Sequence, residues 1–143
     1  MSKNPLIQAC RTGDLKSVKR FLAYGVPINS TLSNEKYSLI HFASQFGQME
    51  IVKYLIKKGA NINAKNLQGT TPLHKAVFYK RNETAKYLID QGAKINDQDS
   101  YKQTALHIAV EVEDLAMIKY LLDQGADLDI KDVQYETRGN RSR

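Results

Sequence analysis

Apolar residues recur along this chain in short blocks at helical spacing, and the blocks themselves recur. Pairs such as Ile51-Val52 and Leu55-Ile56 give the i, i+3, i+4 stripe of a helix with one apolar face. A polar residue opens each preceding block: Asn4, Ser38, Thr71 and Thr104 share one position. All four carry a side-chain oxygen able to accept an orphan backbone N–H at a helix start. The next position is Pro5, Leu39, Pro72 and Ala105, and proline is favoured as a first helical residue. About nine helical residues are expected after each cap, followed by a second helix carrying the apolar stripe. That second helix ends at Gly25, Gly59, Gly92 or Gly125, each placed to take the left-handed conformation of a helix C-cap.

The interval is fixed. His41, His74 and His107 are 33 residues apart and are the only histidines. Gly59-Ala60, Gly92-Ala93 and Gly125-Ala126 keep the same spacing, followed by "NIN", "KIN" and "DLD". Stepping 34 residues back from Ala43, Gly47 and Gly59 gives Ala9, Gly13 and Gly25, with the extra residue in the loop "TLSNEK". The pattern predicts one domain over residues 1–131 in four units, about 1–32, 33–65, 66–98 and 99–131, each helix, turn, helix and long loop. One such pair cannot bury its own apolar face, so neighbours must stack. Ala9, Ala43, Ala76 and Ala109 hold one first-helix position, where a small side chain lets helices approach. Cys10 follows and reads as a small thiol buried at that seam. Residues 132–143 start a fifth unit, with Thr137 33 after Thr104, or form a basic tail. No polar-faced cap is visible there, so the last unit is expected to fray or to continue in a longer chain.

The segments "GTTPLHKAV…AKYLIDQGAKIN" and "SLIHFASQFGQMEIVKYLIKKGANINA" resemble ankyrin repeats. The resemblance runs through nearly the whole chain. It implies an all-α ankyrin-repeat solenoid: stacked helix-turn-helix units with β-hairpin-like loops projecting from one side. Three departures stand out. Lys80 and Glu113 occupy the turn between helices where the family has glycine, as at Gly13 and Gly47, and the first unit has Ile7 in place of the histidine.

Composition changes this picture little. A chain of 143 residues is long enough for a sizeable core. Nothing approaches the roughly 18 consecutive apolar residues of a membrane span, and the N-terminus lacks the apolar run of a secretory signal. The lone cysteine fits a reducing compartment, so an intracellular, cytoplasmic or nuclear, setting is expected. The histidines are expected to be structural. Equivalent positions in stacked helices lie about 10 Å apart, whereas one Zn²⁺ needs nitrogen ligands about 2.1 Å from itself. Each imidazole sits three residues after its cap, close enough to reach back and tie the turn down. No G-x-S-x-G turn, phosphate-binding glycine loop or other catalytic constellation is present, and no metal or cofactor is expected.

Two surface features carry functional readings. Lys19, Lys53, Lys86 and Lys119 form a column on the outward face of the second helices, and the formal charge is +6. The column reads as a solvated back surface or as a strip that meets phosphates or an acidic partner. No aromatic-interleaved nucleic-acid surface accompanies it, so nucleic acid is not the expected partner. Phe46, Phe78 and Tyr79 lie at the ends of first helices, in positions that the family leaves variable and facing a concave groove, and Tyr37 and Tyr101 lie in variable loops. With Gln45, Gln68, Glu111 and Val112 they make the candidate partner-binding set, while Tyr54, Tyr87 and Tyr120 read as packing between units. The expected function is a non-catalytic protein-protein interaction module, monomeric, of adaptor, inhibitor or effector type. A basic-face binder, or a regulatory or spacer segment of a larger protein, are the alternatives.

Overall fold

The computed structural model describes residues 4–132. Eight helices occupy them: α1 (Pro5–Thr12), α2 (Leu15–Ala23), α3 (Leu39–Gln45), α4 (Met49–Lys57), α5 (Pro72–Phe78), α6 (Asn82–Asp90), α7 (Ala105–Glu111) and α8 (Leu115–Asp123). The expected start of a fifth unit at Thr137 lies outside the described residues. Within them no extended strand forms; an isolated antiparallel bridge joins Thr31 to Ser38.

Each first helix starts where its cap dictates. Asn4 Oδ1 accepts from the amides of Leu6 and Ile7 at 2.8 and 3.4 Å, and Thr71 and Thr104 accept from those of His74 and His107 at 3.2 and 3.4 Å. Helices α3, α5 and α7 run seven residues, shorter than the pattern predicts. Each is closed by a residue with left-handed backbone, Gly47, Lys80 or Glu113, at φ 66°, 58° and 57°. The following amide then bonds back to a carbonyl five residues earlier: Arg81 to Ala76 at 2.7 Å, Asp114 to Ala109 at 3.0 Å.

The Lys80 turn finds its explanation in the following unit. A Cβ on Gly47 would meet Arg81 Cδ at 2.9 Å, and one on Gly13 would meet Gln48 Oε1 at 2.7 Å. Those side chains reach back to the preceding unit, Arg81 Nε donating to Gln45 O at 3.0 Å and Gln48 Nε2 to Arg11 O at 2.9 Å. The residue that would reach over Lys80 is Asp114, which is short and instead caps its own helix through Met117 N at 3.1 Å. The space is therefore free for a side chain, and the left-handed backbone remains as a strain of about 1 kcal/mol.

The pairs stack in chain order, α1 on α3, α3 on α5 and α5 on α7, with α2, α4 and α6 layered outside. The alanine column is buried throughout, as are Leu39, Leu73, Ile51, Leu55, Leu88 and Leu121. Cys10 is fully buried, and burial pushes its thiol pKa up to about 12, so it stays protonated and unreactive.

The histidines are the rivets of the stack. His41 Nδ1 accepts from the Ser38 amide at 3.1 Å and lies 2.9 Å from its hydroxyl. Nε2 must then carry the proton, and it donates to Thr70 O of the next unit at 2.8 Å. His74 repeats this, with Nδ1 3.0 Å from the Thr71 amide and Nε2 3.1 Å from both Asp97 O and Gln103 O. The loops are laced in the same way. Asn29, Asn63 and Asn96 accept from Asn61, Lys94 and Asp127 amides of the following units at 2.8–2.9 Å. At the loop tips Leu67 N donates to Glu35 O and Ser100 N to Gln68 O, at 3.0 and 2.8 Å.

Burial holds His41 neutral, with a pKa lowered to about 4, and lowers that of His74 as well. The unfolded chain binds these protons near pH 6.5 and the folded chain at lower pH, for His41 only at about 4. Stability is therefore fully present above about pH 6.5 and falls as pH drops toward 4, by on the order of 3 kcal/mol through His41. Urea unfolding at pH 7, 5.5 and 4 should show this decline, and His41→Gln should reduce its slope. An unchanged slope in the variant would mean that His41 is not the group being protonated.

Candidate functional site

Two adjoining depressions lie between the first helices and the loop tips. The first, of about 510 Å³, has Ile7, Leu32, Glu35, Phe42 and Gln45 in its walls. The second, of about 210 Å³, is bounded by Phe78, Asp99, Tyr101, Gln103, Ile108 and Glu111. Tyr37 and Lys75 belong to both, so they form the saddle of one continuous groove.

Local contacts fix the saddle. Tyr37 sits edge-on to His41 and Phe42, with ring centroids 5.3 and 5.9 Å away. Lys75 Nζ lies 4.3 Å from the Tyr37 centroid and 5.5 Å from that of Tyr79, both inside the range of cation–π attraction. Phe78 and Tyr79 pack edge to face at 5.0 Å. Beyond this pairing their surface is open: Phe78 is 47% exposed, Tyr79 40% and Tyr101 61%. The loop that carries Tyr101 is held by Asp99, whose Oδ1 accepts from the amides of Tyr101 and Gln103, each at 2.9 Å. Asn66 does the same for its loop through Gln68 N and Thr70 N, at 3.1 and 2.8 Å.

The expected set divides under this geometry. Tyr37, Phe78, Tyr101 and Glu111 come together around the second depression, and Gln45 joins Tyr37 at the first. Gln68 is drawn into its own loop, where Oε1 accepts from Asn66 Nδ2 at 2.6 Å. Phe46, Tyr79 and Val112 are the C-cap residues of α3, α5 and α7 and line neither depression. Phe46 forms no ring pair with Phe78 or Tyr79 among the described residues; helices about 10 Å apart hold equivalent side chains beyond ring contact. Residues that the sequence reading passed over, Phe42, Lys75 and Ile108, share one column with Gln8, directly after the histidine position. Three unlike side chains in one column of an otherwise regular repeat are the signal that marks a groove-lining position.

The lysine column is not a bare solvated face. Lys19, Lys53 and Lys86 each lie over the tyrosine of the next unit, Tyr54, Tyr87 and Tyr120, at 5.2, 5.7 and 5.2 Å from the ring centroids. These ammonium groups help to hold outer helix to outer helix. Among the described residues no group of three or more histidine, cysteine or acidic residues is placed to hold a metal, and no helix is long and apolar enough to cross a membrane.

A profile described as ankyrin repeats (3 copies) matches residues 1–66 and 62–132. The chain belongs to the ankyrin repeat family. Its relatives are diverse. It is 36% identical over 61 residues to myotrophin of Xenopus tropicalis, covering 43% of this chain and 51% of that protein. It is 42% identical over 67 residues to the palmitoyltransferase AKR1 of Naumovozyma castellii, covering 43% of this chain and 9% of the other. With the phosphocholine transferase AnkX of Legionella pneumophila it shares 33% over 81 residues, 57% of this chain and 8% of the other. The chain thus spans about half of myotrophin and under a tenth of the two transferases. Ankyrin repeats are generally non-catalytic and serve as protein–protein interaction modules.

In both His41 and His74 the two ring nitrogens are already engaged. Calorimetric titration with Zn²⁺ should accordingly give no stoichiometric site tighter than micromolar. A one-to-one nanomolar site lost in His74→Ala would overturn the structural role of these residues.

Proposed function

We propose that this chain is a non-catalytic, intracellular and monomeric binding module that captures a protein partner in the concave groove and along the loop tips. The observation that carries the reading is the cluster of exposed aromatic surface at Phe78, Tyr79 and Tyr101 beside the depressions. Phe21, Phe42, Tyr87 and Tyr120 are partly buried against the core, whereas these three rings are open. Open aromatic surface rimmed by polar groups is characteristic of recognition sites. Tyr37, Gln45 and Glu111 line the same groove, and the reading extends the partner-binding set to Phe46, Gln68 and Val112. The surface is preformed by helix ends and hydrogen-bonded loops, so little ordering entropy is lost on binding.

The back-face reading has less support, because three of the column lysines are already engaged with tyrosines of the next unit. The two surfaces can be separated directly. Each aromatic side chain can bury roughly 150–250 Å² on contact, and truncating a central one costs about 2 kcal/mol or more of binding. Phe78→Ala with Tyr79→Ala should abolish partner capture while circular dichroism and melting stay near wild type. Lys53→Glu with Lys86→Glu should leave capture largely intact. If the aromatic pair proves silent and the lysine pair destroys capture, the binding site is the basic back face.

A further inference from the structure

The groove inverts the charge of the chain. Basic residues outnumber acidic ones 21 to 15, yet the charged side chains lining the two depressions are Glu35, Asp99 and Glu111 against Lys75 alone. That one ammonium group is drawn to the saddle, 4.3 Å from Tyr37 and 5.5 Å from Tyr79. The far side of the second depression has the same ingredients without a cation of its own. Phe78 and Tyr101 supply exposed rings, Ile108 an apolar floor, and Asp99 and Glu111 the negative charge. No cation is seated over Phe78 or Tyr101 among the described residues. Glu111 is exposed, and its Oε2 accepts one bond, from Gln103 Nε2 at 3.4 Å, which leaves most of its acceptor capacity free. At about 210 Å³ the depression has room for one long side chain and not for a folded element.

Internal comparison shows that this composition is local. The position of Glu111 holds Gln45 and Phe78 in the two preceding units, and that of Tyr101 holds Glu35 and Gln68. Among the described residues, the junction of the third and fourth units brings a helix-end ring, a loop ring and a helix-end carboxylate to one depression.

We propose that the depression between the third and fourth units takes a basic side chain, arginine above all, from an extended segment of the protein partner. The inference rests on the groove reading above. The guanidinium stacks on Phe78 or Tyr101 and donates to the Glu111 carboxylate, while its aliphatic stem lies on Ile108. Arginine suits this better than lysine, because its planar fork can stack and hydrogen-bond at once.

The test is a selection of random dodecapeptides displayed on phage against the full 143-residue chain. Binders should share an arginine or lysine next to an apolar residue. Replacing that residue by glutamine in a synthetic peptide should weaken binding by about tenfold or more, by the loss of a charge-assisted hydrogen bond and a cation–π contact. Glu111→Lys should weaken it at least as much with melting unchanged, and Lys53→Glu should not. Peptides that require Phe78 but show no basic preference, or whose affinity ignores Glu111, overturn this inference and leave the groove reading standing. Acidic peptides that lose binding in Lys75→Gln overturn it in the same way. Peptides indifferent to Phe78→Ala, or a selection yielding no groove binder, count against both.

Discussion

No helix pair in this chain can close its own core. Each carries an apolar stripe on two short helices, and the only surface able to cover it is the matching stripe of the next pair. Val77, inside the stack, is fully buried, whereas its counterpart Val110 on the last described pair is largely exposed. Everything else in the structure serves that dependence. Alanine sets the close approach of the first helices. The imidazoles of His41 and His74 join a cap in one unit to a carbonyl in the next, and asparagines repeat the join in the loops. A histidine used in this way must be neutral, because protonation would turn the accepting Nδ1 into a donor facing a backbone N–H. The acid sensitivity of the fold follows from that requirement.

The same constraint divides the surface. On the outside, Lys19, Lys53 and Lys86 are engaged with the tyrosines of neighbouring units. On the inside, the positions that stacking does not need are free to vary. One column after the histidine holds Gln8, Phe42, Lys75 and Ile108, and the helix-end column holds Arg11, Gln45, Phe78 and Glu111. Irregularity within a regular array is therefore where recognition can be written, and the scaffold holds it rigid. Short ankyrin segments shared with proteins as different as myotrophin and a palmitoyltransferase fit a unit whose fold and surface vary independently.

Most of the fold was legible because its determinants are local and repeated. Caps, glycines and apolar spacing each announce themselves within a few residues, and four copies correct one another. The seven-residue length of the first helices was less legible: the repeat register puts Lys80 and Glu113 at the glycine position, but neither residue type by itself announces a left-handed backbone. The reason Lys80 dispenses with glycine is non-local: it lies in the shortness of Asp114, one unit on, against the reach of Arg81 and Gln48 over the glycines. The groove was legible in part. Tyr37, Phe78, Tyr101 and Glu111 line one depression. Phe46, Tyr79 and Val112, one residue further along, turn onto the C-cap, where their side chains leave the depressions. The role of Lys75 as the saddle between Tyr37 and Tyr79 depends on two units at once and has no signature in either.

The central claim is that the inner face recognises and the outer face only holds the stack together. Hydrogen exchange of the chain with and without its captured partner tests this most directly. The account predicts added protection at residues 35–37, 67–70 and 99–103 and at the ends of α5 and α7, with none at residues 15–24 or 49–58. Protection confined to the outer helices α2 and α4, with the groove unchanged, would contradict it.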